Sequence, residues 1–189
     1  MLTVFGSTAL DTIRTPKKTL KNVLGGAATF AAISASFFIK PRLIAVVGSD
    51  FPKKYHAVLK NHLDLKGLTV LDGKTFRYDG KYDETMSVRE TLKTELNVLA
   101  KFKPTVPDTY KKSEFVYLAN NDPEQNVKII KEFDNVKFSM CDTIDFWIGT
   151  KRNAVIKMIK SVDAVVINDE EAKLLTKEDN LIKCAKKMM

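Results

Sequence analysis

The sequence predicts an α/β fold, a doubly wound and mostly parallel sheet that carries a small β-sheet lid. Short β-branched runs alternate with longer amphipathic segments, the pattern of crossover helices packed on parallel strands. The alternation is interrupted between Gly67 and about Leu99, where Thr69-Val-Leu, Thr75-Phe-Arg-Tyr and Thr85-Met-Ser-Val-Arg are separated by the turn signals Asp72-Gly73 and Asp79-Gly80. With 189 residues, 44% hydrophobic and 29% charged, the chain has the size and balance of one domain or the larger part of one.

Leu2 to Phe5 opens the chain as a strand. Gly26 to Phe38, rich in alanine, predicts a closely packed helix leading to the buried strand Leu43 to Val47. Pro52 to His62 predicts a helix with proline near its first turn, where a missing N–H costs little. Past the insertion, Phe115 to Leu118, Val136 to Met140 and Ala164 to Ile167 predict strands. Pro123 to Phe133, Lys151 to Lys160 and an interrupted Glu170 to Met188 predict helices. The insertion is expected to lie outside the main sheet, near the carboxyl ends of its strands, where it would cover the usual ligand crevice.

The longest apolar stretch, Ala27 to Ile39, is broken by Thr29, Ser34 and Ser36 and is shorter than the roughly 18 residues a membrane span needs. The N-terminus places apolar residues before basic ones, the reverse of a secretory signal. Two cysteines, Cys141 and Cys184, without ligand spacing exclude a disulfide scaffold and a zinc module, and the expectation is a reduced, cytoplasmic protein. The net charge of +8 raises the question of nucleic acid. The excess is spread along the chain, however, and only five basic residues are arginine, the side chain that base-edge recognition favours. A solvated lysine-rich surface is the expectation, with no nucleic-acid or membrane partner.

Asp11 follows the opening strand and Gly6-Ser-Thr-Ala. A carboxylate there can accept hydrogen bonds from two adjacent hydroxyls of a sugar, or it can serve as a turn or cap. Gly25 and Gly26 precede the alanine-rich helix; they can let backbone N–H groups approach a ligand, or act as a hinge. Neither a Walker motif nor the glycine spacing of dinucleotide binders is present. Asn168 and Glu171 stand at a strand-to-helix junction, where they can face a metal-bound phosphate or form a capping pair.

In combination these features resemble the ribokinase-like carbohydrate kinases, the PfkB family. The resemblance covers essentially the whole chain. It rests on Gly6 to Asp11, Gly25-Gly26-Ala-Ala, Val47-Gly-Ser-Asp50, the Gly67 to Arg89 lid, Asn120-Asn-Asp-Pro123, Asp142-Thr-Ile-Asp-Phe-Trp147 and Asn168-x-x-Glu171. It implies ATP- and magnesium-dependent phosphorylation of a hydroxyl on a sugar, nucleoside or related polyol. By that resemblance Asp11, the Gly25 and Gly26 backbone, Phe30, Arg77 of the lid and Asn121 contact the substrate. Asn168 and Glu171 organise the magnesium–phosphate end without binding metal directly. Phe30 stands where the family carries an asparagine, which replaces a hydrogen bond with stacking or shape.

The family's Gly-Ala-Gly-Asp segment, whose glycines form an anion hole and whose aspartate takes the proton from the substrate hydroxyl, does not occur in these residues. The expectation is therefore one truncated ribokinase-like domain over residues 1–189, with the lid at about 67–99, the C-terminal part of the sheet missing, and most of the ATP site and the catalytic base absent. An unfinished parallel edge invites homodimer formation. The expected function is the N-terminal part of a kinase, inactive alone; the alternative is a non-catalytic sugar-binding or interaction module derived from one.

Overall fold

A computed structural model describes all of residues 1–189. The chain runs β1 (Leu2–Phe5), β2 (Ala9–Arg14), β3 (Thr19–Gly25), α1 (Ala27–Ala35), β4 (Arg42–Gly48), α2 (Lys53–His62), β5 (Asp64–Leu71), β6 (Arg77–Tyr82) and β7 (Arg89–Glu95). It continues through α3 (Val98–Lys101), β8 (Phe115–Leu118), α4 (Pro123–Ile129), β9 (Phe138–Asp142), α5 (Asp145–Ile159), β10 (Ala164–Val166), α6 (Asp169–Thr176) and α7 (Leu181–Met188). No helix is long and apolar enough to cross a membrane.

Six strands form a parallel sheet in the order β10-β9-β8-β1-β4-β5. Strand periodicity divides its central side chains between two cores. Val4, Leu43 and Ala45 pack with Ala28 and Ala32 of α1 and Leu59 of α2. Phe5, Ile44 and Val46 pack on the other side with Ile129 of α4 and Val155 and Met158 of α5. Both faces are covered, which is why β1 and β4 are almost continuously apolar rather than alternating. Ala28 and Ala32 of α1 are fully buried against the sheet, while Phe37 and Phe38 beyond its end stay exposed.

A second sheet has the order β3-β2-β6-β7, with β2 and β6 parallel and the outer pairs antiparallel. This is the lid, and its extent differs from the predicted insertion at 67–99. Thr69 to Leu71 belong to β5 and pair with β4 in the main sheet. Half the lid comes instead from residues 9–25, outside the predicted insertion. Their local signal was a turn at Thr15–Lys18, closed by the Thr15 N–H donating to the Lys18 carbonyl at 2.9 Å with Pro16 inside it. Arg14 of β2 forks onto Asp79 of β6 with two bonds of 2.8 Å, joining the two halves of the lid.

Other differences are local. The predicted strand 136–140 lies two residues further on, as β9. The helix predicted from Lys151 begins at Asp145 and kinks where Lys151 takes a non-helical conformation. The predicted break between 170 and 188 is present, with Lys177 in the left-handed region ending α6 and Asn180 capping α7. β10 has a neighbour on one side only.

Candidate functional site

Successive connections from β1 go to β4 and β5 on one side, and the later strands β8, β9 and β10 lie on the other. The order therefore reverses beside β1, and at such a switch point the connecting loops diverge and leave a crevice beyond the carboxyl ends of the strands. The lid stands over that crevice because the chain leaves β1 directly into β2 and returns from β3 directly into α1. Between the two sheets lies a cleft of about 490 Å³. Ser7, Gly26, Ala27, Asn120, Asp142 and Ile144 line it from the main-sheet side, and Asp11, Ile13, Tyr78, Tyr82 and Arg89 from the lid, with Phe30, Phe76 and Phe146 completing its apolar walls.

Asp11 sits on lid strand β2, not in a loop, and its side chain folds back to the cleft. It meets Gly25 across the β2–β3 pair. A Cβ on Gly25 would stand 1.9 Å from Asp11 Oδ2, so the carboxylate occupies space that only glycine leaves. Asp11 Oδ1 is buried with no hydrogen-bond partner. Burial pushes this carboxyl up to about 6, against the lowering effect of the Tyr78 backbone N–H. Gly25→Ala is expected to displace the carboxylate and lower stability by about 1–3 kcal/mol, the usual cost of overpacking. Thermal melting checks this, and an unchanged melting temperature would show that the carboxylate has room to move.

Gly26 has φ +100°, and a Cβ there would lie 2.4 Å from the Ser7 carbonyl oxygen. This tight passage brings α1 onto the crevice. The first amides of the helix are already engaged: the Ala27 N–H donates to Ser7 Oγ at 3.2 Å and the Ala28 N–H to the Ser7 carbonyl at 3.1 Å. Gly26 thus shapes the wall, and Phe30, one turn later and 60% exposed, presents its ring to the cleft.

Two expected contacts are placed elsewhere. Arg77 is turned away from the cleft and bonds Asn22 Oδ1 and, at 2.7 Å, Asp50 Oδ2. Asp50 also accepts from the Thr75 amide and hydroxyl, both at 2.7 Å. Burial raises Asp50, but these donors outweigh it and hold the group below the usual carboxylate range. Arg77 therefore helps clamp the start of β6 to the loop after β4. Asn121 is buried and donates to Gln125 Oε1 at 3.2 Å, leaving the adjacent Asn120 to face the cleft. The backbone direction at the end of β8 decides between these two neighbours, and sequence alone does not.

Asn168 and Glu171 adopt the capping arrangement. The Glu171 N–H donates to Asn168 Oδ1 at 2.8 Å and the Asn168 N–H to Glu171 Oε2 at 3.0 Å. Neither lines the cleft, although burial, with Asp145 nearby, raises the Glu171 carboxyl. No group of three or more His, Cys, Asp or Glu side chains is gathered to hold a metal ion. With these side-chain oxygens engaged by backbone, the residues matched to a magnesium–phosphate end do not make a metal site among themselves.

The residue whose role sequence reasoning missed is Asp142, at the end of β9. Its Oδ2 accepts from the Tyr117 hydroxyl at 2.8 Å, while Oδ1 is buried without a partner. Burial pushes it up to about 6, helped by Glu171 and opposed by the Tyr117 hydroxyl and the Asn120 backbone. The same surroundings raise the Tyr117 hydroxyl and push the Cys141 thiol up to about 12. Asn120 Oδ1 is likewise buried and unpartnered. Three residues lining one cleft thus each carry an acceptor oxygen without a donor, a costly arrangement in a protein interior unless something else supplies the hydrogen.

No family model matches the sequence. The chain is 28% identical over 183 residues to the cytidine kinase of Thermococcus kodakarensis, covering 93% of this chain and 64% of that protein. It thus spans less than two thirds of that relative's length. Among solved structures, the nucleoside kinase of Methanocaldococcus jannaschii, an archaeal member of the ribokinase family, matches with TM-score 0.73 and 20% identity over 98% of this chain and 67% of that one. Ribokinase of Thermotoga maritima matches with TM-score 0.73 and 17% identity, over 100% and 67%. The nucleoside kinase of Burkholderia thailandensis, solved with inosine, gives TM-score 0.78 and 14% identity over 99% and 68%. The chain is ribokinase-like in fold, a main parallel sheet under a small lid, and in sequence it is similar to a kinase of nucleosides.

Proposed function

We propose that these residues form the substrate-binding part of a nucleoside kinase of the ribokinase family, transferring phosphate from ATP to a hydroxyl of the bound nucleoside. The observation that carries this reading is the cleft itself, in which Asp11, Asn120 and Asp142 present unpartnered acceptor oxygens beneath aromatic walls. Hydroxyls of a ribose supply the missing donors, and a planar base suits Phe30, Phe76, Tyr78 and Phe146. A free sugar would satisfy the acceptors and leave the aromatic walls without a partner. The similarity to a cytidine kinase and to nucleoside kinases supports the same choice.

Isothermal calorimetry of the 189-residue chain with cytidine, uridine, inosine and ribose tests the proposal. The expected result is saturable binding of at least one nucleoside about fivefold or more tighter than ribose, because stacking contributes about 1 kcal/mol beyond hydrogen bonding. Ribose binding as tightly as any nucleoside would replace this reading with that of a sugar kinase.

A further inference from the structure

The cleft also contains one strong donor that lacks an acceptor. Of the five arginines, Arg14 forks onto Asp79, Arg42 donates to Ser113, Arg77 to Asn22 and Asp50, and Arg152 to the Leu175 carbonyl. Arg89, on β7, makes no side-chain hydrogen bond or ion pair. Its guanidinium carbon lies 5.4 Å from the centre of the Tyr78 ring, and both residues line the cleft. Tyr78 is itself held in place. Its hydroxyl shares a 2.9 Å bond with Thr91 Oγ1, and a Cβ on Gly80 would come within 2.6 Å of the ring. A guanidinium stacked on a fixed ring keeps its plane and turns its edge of N–H groups outward.

The surroundings decide what that edge can take. Asp142 and Asp145 line the same cleft, and the field of Arg89 reaches beyond it to lower Glu171 while Asp145 raises it. A phosphate brought to Arg89 would meet these carboxylates, whereas a neutral acceptor would not. The geometry points to Arg89, backed by Tyr78, as the residue that reads the base of the nucleoside, selecting an edge with two neighbouring acceptors such as O2 and N3 of cytosine. The planar fork of arginine matches such a pair in the way it matches O6 and N7 of guanine in DNA. Uracil carries N3–H in place of the second acceptor and turns a donor toward the guanidinium. This inference rests on the nucleoside reading above.

The test compares cytidine, uridine and ribose on the wild-type chain, Arg89→Met and Arg89→Lys by calorimetry, with thermal melting as the control for folding. Arg89 is exposed and unpaired, so both variants are expected to melt with the wild type. Wild type is expected to prefer cytidine over uridine by at least tenfold. Arg89→Met keeps the stem and loses the donors; it should bind cytidine about 10- to 100-fold more weakly, with uridine changed by about twofold or less. Arg89→Lys keeps the charge without the fork and should lose the discrimination as well. Equal wild-type affinity for cytidine and uridine, or discrimination that survives in Arg89→Met, overturns the role of Arg89 and leaves the nucleoside reading standing. Wild type that binds ribose and no nucleoside overturns both.

Discussion

Asp11→Asn is expected to weaken nucleoside binding by about 10- to 100-fold and to leave the melting temperature unchanged or raised. The loss follows from removing a charged acceptor for ligand hydroxyls, each such bond being worth about 1.5–3 kcal/mol. The effect on stability has the opposite origin. In the free protein Asp11 Oδ1 has no partner, and burial has moved the carboxyl from its ordinary 3.8 to about 6. Between those two pH values the folded chain holds a proton that the unfolded chain has released. The associated stability is fully present below about pH 4 and is lost as the pH rises through about 6. At about 1.4 kcal/mol per pH unit this amounts to roughly 2–3 kcal/mol for Asp11, with Asp142 acting in the same direction. Asparagine removes the Asp11 share, so the fall in stability from pH 4 to pH 6 should be shallower in the variant. Ligand binding runs the other way with pH, since a hydroxyl donates to the ionised carboxylate; affinity should drop as the pH falls below about 6. Calorimetry and thermal melts of one mutant across that range read all three effects. A turn or cap role for Asp11 would lower the melting temperature and spare the affinity.

The purified 189-residue chain is expected to show no ATP-dependent phosphorylation of any nucleoside or sugar, while still binding its ligand. In the family this chain resembles, the base and the anion hole come from a Gly-Ala-Gly-Asp segment, and these residues contain none. General-base catalysis typically contributes 10²–10⁴-fold and a preorganised oxyanion site about 10²–10³-fold. Phosphoryl transfer is mostly positioning and charge neutralisation, so without both groups the reacting hydroxyl lacks the family's base and the phosphate lacks its clamp. Asn168 and Glu171, the residues matched to the magnesium–phosphate end, are engaged in a helix cap. A radiolabelled-ATP assay on protein freed of host kinases checks the expectation, and turnover above background would place a catalytic group within these residues.

The amino-acid pattern by itself determined the alternation of parallel strands and crossover helices, because a strand buried on both faces must be apolar throughout and an overlying helix apolar on one side. Asp11 and Gly26 stood out from the residues themselves and Phe30 only through the resemblance to a family; that all three line one cleft is seen in the folded chain. Which residues form the lid was decided in three dimensions. β2 and β3 form a local hairpin about the turn at Thr15–Lys18, but what makes it half of a lid is the pairing of β2 with β6, a partner more than sixty residues away, which no local window reveals. The same holds for the cleft's polar lining. Asn120 and Asn121 are chemically alike and adjacent, and the turn after β8 sends one into the cleft and the other into the core. Arg77 and Arg89 are both lid arginines, yet one is drawn to Asp50 and the other is left to stack on Tyr78. Asp142 became visible only when β9 carried it beside Tyr117 and Asn120, because an unpartnered buried oxygen is a property of what surrounds a residue, not of the residue itself.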